Sequence, residues 1–276
     1  MTRRGPRRRS LPANPSGVHL IHCRATVARL VRSAAPGPDD LVVDLGAGPG
    51  TLTAALAATG ARVMAVERDA RFAAGLERRF AGNPRVRVLH ADLRTVSLPR
   101  GARIVANLPF ATSTAVLRRR LDPPGRVTAG CDVLVERGFA LRVTAGRPRT
   151  ATVAWWAARH ELRLVRVVPR TAFAPPPAID AAHLRVRPRR PLPARAEAAL
   201  WWLLAGAHAP AAPRADALLG AAVGRRAAVA ALRRHGAEPR AAARELPPLA
   251  WRRVAADAAV HAGAAWPAPP RRLGRG

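Results

Sequence analysis

Lysine and tyrosine are absent from this 276-residue chain, and cysteine occurs only twice. Acidic residues number 17 against 47 basic ones, all arginine, which sets a formal net charge of +30. Cys23 and Cys131 build neither a disulfide framework nor a cysteine-rich zinc site. His22, His90 and His160 have no ligand-like spacing, so no metal is expected. The aromatic complement, six Trp and five Phe, is too sparse for a sheet that stacks bases along its face. Apolar runs are short. Residues 198–207 form one of the longest, and a bilayer span takes about 20 residues. Arg3, Arg4, Arg7, Arg8 and Arg9 lead into no apolar segment, so neither a secretory nor a twin-arginine leader is expected. These absences point to a cytoplasmic, reducing compartment with no membrane partner.

What is present is a foldable core with a basic exterior. Apolar residues make up 49% of the chain, enough to exclude disorder throughout. The length suits one large domain, or a domain with an appendage, at about 150 residues each. A high-GC coding bias explains arginine in place of lysine, but not a nearly threefold excess over Asp and Glu. Such a surplus speeds encounter with polyanions, and on nucleic acid it makes binding steeply salt-dependent. Charge does not separate RNA from DNA.

Residues 1–15 are Arg, Pro and Ser with little to bury, and read as a basic arm. A helical pattern covers 21–35 and closes at Pro36-Gly37-Pro38. Strands are expected at 41–45, 62–66, 86–90, 104–106 and 133–135, with helical patterns at 51–58 and 70–80 and after the last two strands. Repeated βα units of this length predict an α/β fold, a doubly wound parallel sheet with helices on both faces. Two more strands, 162–168 and 183–186, flank a turn holding Pro175, Pro176 and Pro177, which excludes a regular ladder there. Beyond Pro191 the composition turns to Ala, Leu, Trp and Arg at helical spacing, over 194–207, 224–235 and 249–262. The expected organisation is a basic arm 1–15, a catalytic domain 16–190, an all-helical C-terminal domain 191–263 and a Pro/Arg tail 264–276.

The first strand runs into Asp44-Leu45-Gly46-Ala47-Gly48-Pro49-Gly50. Glycines after a strand allow a tight turn and let a ligand lie against the main chain. Their spacing is not that of the dinucleotide fingerprint: its third glycine would fall at Thr51, and Pro49 removes a backbone N–H that a pyrophosphate would use. Asp44 suits a ligand with a cationic end. Glu67, at the end of the second strand, is placed to accept from ribose hydroxyls. Asp92, after the third, is placed to accept from an adenine amine. Three acids at three successive strand ends fit the cofactor S-adenosylmethionine better than a nicotinamide.

The fourth strand ends in Asn107-Leu108-Pro109-Phe110. An adenine N6 lone pair is delocalised into the ring, so the amine is a weak nucleophile. Acceptors at the Asn107 side chain and the Leu108 carbonyl would favour a more tetrahedral nitrogen as it attacks. Phe110 would supply a stacking face for an extruded base, and Pro109 would stiffen the turn. With a sulfonium as leaving group, neither a nucleophilic side chain nor a metal is needed, and the proton leaves to water.

With 44–50, Glu67, Asp92 and 107–110, the chain resembles the rRNA adenine-N6 methyltransferases, and among them the Erm-type enzymes. The resemblance runs from about Ser16 to the last helix. It continues in Glu136-Arg137-Gly138-Phe139-Ala140-Leu141-Arg142, similar to E-x-G-F-A-x-R, and in Phe173-Ala174-Pro175-Pro176-Pro177-Ala178-Ile179-Asp180, similar to F-x-P-x-P-x-V-[D/N]. It implies a class I (Rossmann-like) methyltransferase sheet of about seven strands and a cofactor site of His19, Ile21, Asp44, Gly46, Gly48, Gly50, Glu67, Arg68, Asp92, Leu93 and Asn107. It further implies RNA contacts near Arg142 and Arg170, and Phe173 flanking the target base. Arg118, with Arg119 and Arg120, could track phosphates. The implied partner is 23S rRNA, modified in the peptidyl-transferase loop by a monomer before ribosome assembly is complete, with macrolide-lincosamide-streptogramin B resistance as the consequence. Two departures stand out. Gly17-Val18-His19-Leu20-Ile21 replaces the family's S-Q-N-F-L segment, and Ala181 replaces the Ser after the turn's Asp. A small-subunit rRNA dimethyltransferase and a non-catalytic RNA-binding or transcription-factor relative are the rivals.

Overall fold

Short apolar runs ended by glycine or a carboxylate become strands, and the intervening patterns become helices. The computed structural model describes residues 18–122, 129–211, 213–261 and 265–270; the basic arm lies outside them. The chain begins with β1 (Leu20–Ile21) and α1 (Arg24–Ala34). The repeating units follow: β2 (Leu41–Leu45), α2 (Thr51–Ala57), β3 (Arg62–Glu67), α3 (Ala70–Arg79), β4 (Val86–His90), β5 (Arg103–Asn107) and α4 (Phe110–Leu121). Next are β6 (Gly130–Glu136), α5 (Arg137–Val143), α6 (Ala151–Arg159), β7 (His160–Val168), β8 (Phe173–Ala174) and β9 (Ala181–Pro188). Four helices end the order: α7 (Ala194–Ala207), α8 (Ala215–Val223), α9 (Arg225–Arg234) and α10 (Pro248–Ala258).

Seven strands form one sheet in the order β4-β3-β2-β5-β6-β9-β7. The first five are parallel, and β9 runs antiparallel to both β6 and β7. Adjacent residues on the central strands point into different cores, the direct consequence of a two-residue side-chain period. Val42, Val105 and Leu134 join the α1 and α2 side, with Leu30 and Leu56. Val43, Ile104, Val133 and Val135 join the other side, with Leu117, Phe139 and Trp155. Burial on both faces is why these strands read as continuous apolar runs. The fold is therefore the expected one, with the sheet mixed at its last two strands.

The second core does not stop at the sheet. It continues through Trp155 and Trp156 of α6 into Leu200 and Leu203 of α7 and Trp251 of α10. Trp155 and Trp156 are both buried, and Trp156 Nε1 donates to Asp122 Oδ1 at 2.7 Å. Trp266, expected in a loose tail, meets Trp202 edge-on at 5.5 Å. Three details were not foreseen. α8 reads Ala-Asp-Ala-Leu-Leu-Gly-Ala-Ala-Val and lacks a polar face to mark it as a helix. Ile21, assigned to the first helix by pattern, instead joins Leu20 in a strand that pairs antiparallel with β8, Leu20 opposite Ala174 and Ile21 opposite Phe173. Under α1, fully buried Asp132 accepts from Ser33 Oγ at 2.6 Å, contacts His183 Nε2 at 2.8 Å and pairs with Arg187 at 2.6 Å. This network ties α1, and the segment leading into it, to the sheet.

Candidate active site

The chain leaves β2, visits β3 and β4, and returns to the other side of β2 as β5. Strand order reverses there, and the carboxyl ends of the strands open a crevice suited to a ligand. The turn after β2 needs glycine. Gly46, Gly48 and Gly50 have φ of 77°, 53° and 82°, the left-handed region that side chains disfavour. A Cβ on Gly50 would also lie 2.6 Å from Leu76 Cδ2, and one on Gly48 3.1 Å from Leu20 Cδ2. The loop is anchored beneath by Gly46 and Ala47 N–H donating to the Val66 carbonyl at 2.8 and 3.1 Å.

Above it lies a cavity of about 680 Å³. His19, Gly46, Gly48, Glu67, Arg68, Asp92, Leu93, Asn107, Leu108, Pro109 and Phe110 all line it. Ile21 and Asp44 line a small recess beside it that shares Gly46 and Asn107. Gly50 lies outside both and caps α2.

The three carboxylates are in three different states. Glu67 Oε1 accepts from the Arg68 and Asp69 N–H groups at 2.7 and 2.8 Å, and Oε2 from Gly48 N–H at 2.8 Å. Asp92 is gripped by Arg94, whose Nε donates to Oδ1 and Oδ2 at 3.0 and 2.9 Å and whose NH2 donates to Oδ2 at 2.5 Å. Those bonds bring its pKa down to about 2. Asp44 is buried and accepts from Thr53 Oγ1 at 2.7 Å. Burial pushes its carboxyl up to about 7 against the opposing effect of Thr53, and the nearby charge of Glu67 adds to the rise.

Residues 107–110 close the crevice. Asn107 Nδ2 donates to the His19 carbonyl at 2.8 Å, which orients the amide with its oxygen as the remaining acceptor. Leu108 sends its side chain into the main core and presents backbone to the cavity. Pro109 precedes the first residue of α4, Phe110, whose ring centroid lies 5.9 Å from that of His19. His19 Nδ1 is 2.8 Å from the Pro175 carbonyl. The segment before α1, the Asn-Leu-Pro-Phe turn and the Pro-rich turn therefore meet at one mouth.

The family profile described as ribosomal RNA adenine dimethylase matches residues 16–204, more than half of the chain. The chain belongs to this family. An rRNA adenine N-6-methyltransferase of Bacillus licheniformis is 31% identical over 181 residues, 65% of this chain and 63% of that relative, so the match spans less than two thirds of the relative's length. The ribosomal RNA small subunit methyltransferase A of Phenylobacterium zucineum is 35% identical over 194 residues, 66% of this chain and 67% of that protein. The crystal structure of the 23S rRNA methyltransferase ErmE superposes with a TM-score of 0.74 at 26% identity, covering 86% of this chain and 98% of that one.

In this dimethylase-family chain the expected RNA-contact residues do not gather in the same cavity. Phe173, expected beside the target base, is 2% exposed and packs with Ile21 and Leu30 in the α1 core. Its pairing with Ile21 turns the ring inward, and Pro175 of the same turn reaches the mouth instead. Arg170 lines a shallow depression with Glu136, Arg137 and Asp180. Arg118 and Arg142 line a separate groove. Arg119 and Arg120 point elsewhere, donating to the Thr95 and Val96 carbonyls at 2.8 and 3.0 Å, because successive helical residues turn by about 100°. Asp69, Phe72, Arg94 and Thr112 line the main cavity without having been singled out by sequence. Asp69 carried a legible signal as the cap of α3, accepting from Arg71 and Phe72 N–H. Arg94 carried one as an oppositely charged neighbour two residues past Asp92.

Proposed function

We propose that this protein transfers methyl from S-adenosylmethionine to N6 of an adenine in 23S rRNA, within the peptidyl-transferase loop. The observation that carries the proposal is one cavity in which Glu67 and Asp92 face Asn107 and Phe110. The cavity fits that cofactor. Its floor is a glycine turn that side chains would crowd. Among the described residues Glu67 Oε2 accepts from Gly48 N–H alone, which leaves acceptor capacity for a ribose hydroxyl. Asp92 would accept from the adenine amine once Arg94 shares it. Asp44 lies near the far end, where a cationic ammonium would favour its ionised form.

When bound, the cofactor supplies a methyl group already activated on a sulfonium. The chain's own residues do the rest. Phe110 stacks the swung-out adenine, while Asn107 Oδ1 and the Leu108 carbonyl accept from its amino group. Because His19 holds the Asn107 amide in place, no reorganisation is needed as the nitrogen becomes tetrahedral. His19 and Pro175 narrow the mouth and limit water at the reacting atoms. Residues 16–190 act as the catalytic unit and 191–263 as a helical accessory, in a cytoplasmic monomer acting on rRNA before assembly is complete. Methylation at that adenine removes N–H donors and adds bulk where macrolide, lincosamide and streptogramin B drugs bind, so resistance is the proposed outcome.

Small-subunit rRNA is the second reading, favoured by the similarity to a small subunit methyltransferase A. Labelled-methyl transfer to protein-free 23S and 16S rRNA decides between them. Label at a 23S adenine supports the first and label in 16S the second. Label in neither, with no cofactor binding, favours a non-catalytic RNA-binding relative.

A further inference from the structure

Further along α4 from the cofactor cavity is a second cavity of about 530 Å³, bounded by α4, α5, the loop after α5 and the start of α6. Four guanidinium-bearing residues line it: Arg118, Arg142, Arg147 and Arg149. No carboxylate lines it among the described residues. Arg142, Arg147 and Arg149 are exposed and take part in none of the salt bridges among the described residues. The groove also meets the positive end of α6, a nine-residue helix whose cap Thr150 accepts from Val153 N–H and leaves the earlier N–H groups unbonded within the helix. Its floor is apolar, with Phe139, Val153 and Trp156, and half-exposed Leu141 sits at its rim.

A cavity with an apolar floor and a cationic wall matches a nucleotide better than a bare anion: the base covers the floor and its phosphates meet the guanidiniums. Its position strengthens the match. Phe110, Thr114 and Arg118 lie at i, i+4 and i+8 on one face of α4. Phe110 lines the cofactor cavity, and Thr114 and Arg118 line the groove. The eight-residue step spans about 12 Å, a distance that a short stretch of extended RNA covers. We propose that this groove is a nucleotide subsite, holding an unstacked nucleotide that flanks the target adenine on the same strand. Arg147 and Arg149 contact its phosphates.

This inference rests on the rRNA reading, and the test separates the two. Binding of protein-free 23S and 16S rRNA is measured by filter retention across a salt series, without turnover, for the wild type, R147A/R149A and A145W. The A145W variant fills the groove from its exposed rim and leaves every charge in place. Calorimetric affinity for S-adenosylmethionine and the melting temperature check that each variant folds. R147A/R149A is expected to weaken binding about tenfold and to make the log–log salt slope shallower by about 1.4, at about 0.7 per single-strand phosphate. A145W is expected to weaken binding with the slope nearly unchanged, and ultraviolet crosslinking of the wild type is expected to mark peptides within residues 139–156. Unchanged binding and slope in R147A/R149A overturn the subsite. Full binding by A145W overturns the base seat. Adenosine monophosphate filling the groove without displacing RNA would make it a free-nucleotide site and also overturn the proposal. Wild-type methyl transfer, measured separately, decides the rRNA reading itself.

Discussion

The two cavities that follow one another along α4 are built from opposite charge. In a chain with 17 acidic residues against 47 basic ones, Glu67, Asp69 and Asp92 line the strand-end cavity and Asp44 lies just beside it. The neighbouring groove has four arginines and no carboxylate among its described lining. Where acids are scarce, their placement is informative. One cavity suits a small ligand with hydrogen-bond donors and a positive end, and the other suits a polyanion. They also differ in the elements that carry their charges. The carboxylates sit at strand ends beneath parallel ladders, whereas the arginines project from helix surfaces and a loop.

The comparison can be broken most sharply at residue 107. Asn107→Ala is expected to lower turnover by about 10²- to 10³-fold, the usual cost of removing a preorganised transition-state contact, while cofactor affinity changes little. Single-turnover methyl transfer together with calorimetry checks this, and a near-normal rate would remove Asn107 from the chemistry. Glu67→Ala should weaken cofactor binding by about 10- to 100-fold, the equivalent of one charge-assisted hydrogen bond, and leave rRNA affinity intact. If both ligands were lost together, the two cavities would not be independent.

Asp44 sharpens the contrast through pH. With its carboxyl raised to about 7 by burial, a cationic ligand must bind the ionised form, so cofactor affinity should fall by up to about tenfold per pH unit below 7. Asp44→Asn should flatten that profile in calorimetry. The sign for the cofactor-free protein follows from the same shift. The folded state holds a proton that the unfolded state has released, so stability declines as pH rises from the ordinary carboxyl value towards 7 and then levels off. Thermal melts of the wild type against Asp44→Asn test it. The smallest effect separates neighbours on α4. Arg118→Ala should make the rRNA salt slope shallower by about 0.7, and Arg119→Ala, whose guanidinium is held by the Thr95 carbonyl, should leave it unchanged.

Much of the fold is legible in sequence because its signals are local. A strand ending at Leu45, a glycine turn and helical spacing from Thr51 are consecutive residues obeying short-range rules, and the structure follows them to the residue at Leu41–Leu45, Val86–His90 and Ala194–Ala207. The candidate site residues from the strand ends converge for the same reason: parallel strands in register deliver their last residues to one edge. Phe173 shows where this stops. Its motif marks a turn, but which way the ring points depends on pairing with Ile21, more than 150 residues away in sequence. The arginines show the same limit. Of three in a row, Arg118 alone lines the groove, and Arg147 and Arg149 join it because the loop between α5 and α6 borders the same groove as α4.

Sequence alone settled the class of sheet, the glycine turn, the carboxylate-ended strands and the excess of positive charge, since each depends on a residue and its near neighbours. Tertiary structure decided which carboxylate is buried and protonation-sensitive, which aromatic ring reaches the mouth, and which few of 47 arginines share a groove. Those outcomes depend on long-range packing and desolvation, and no window of consecutive residues contains them.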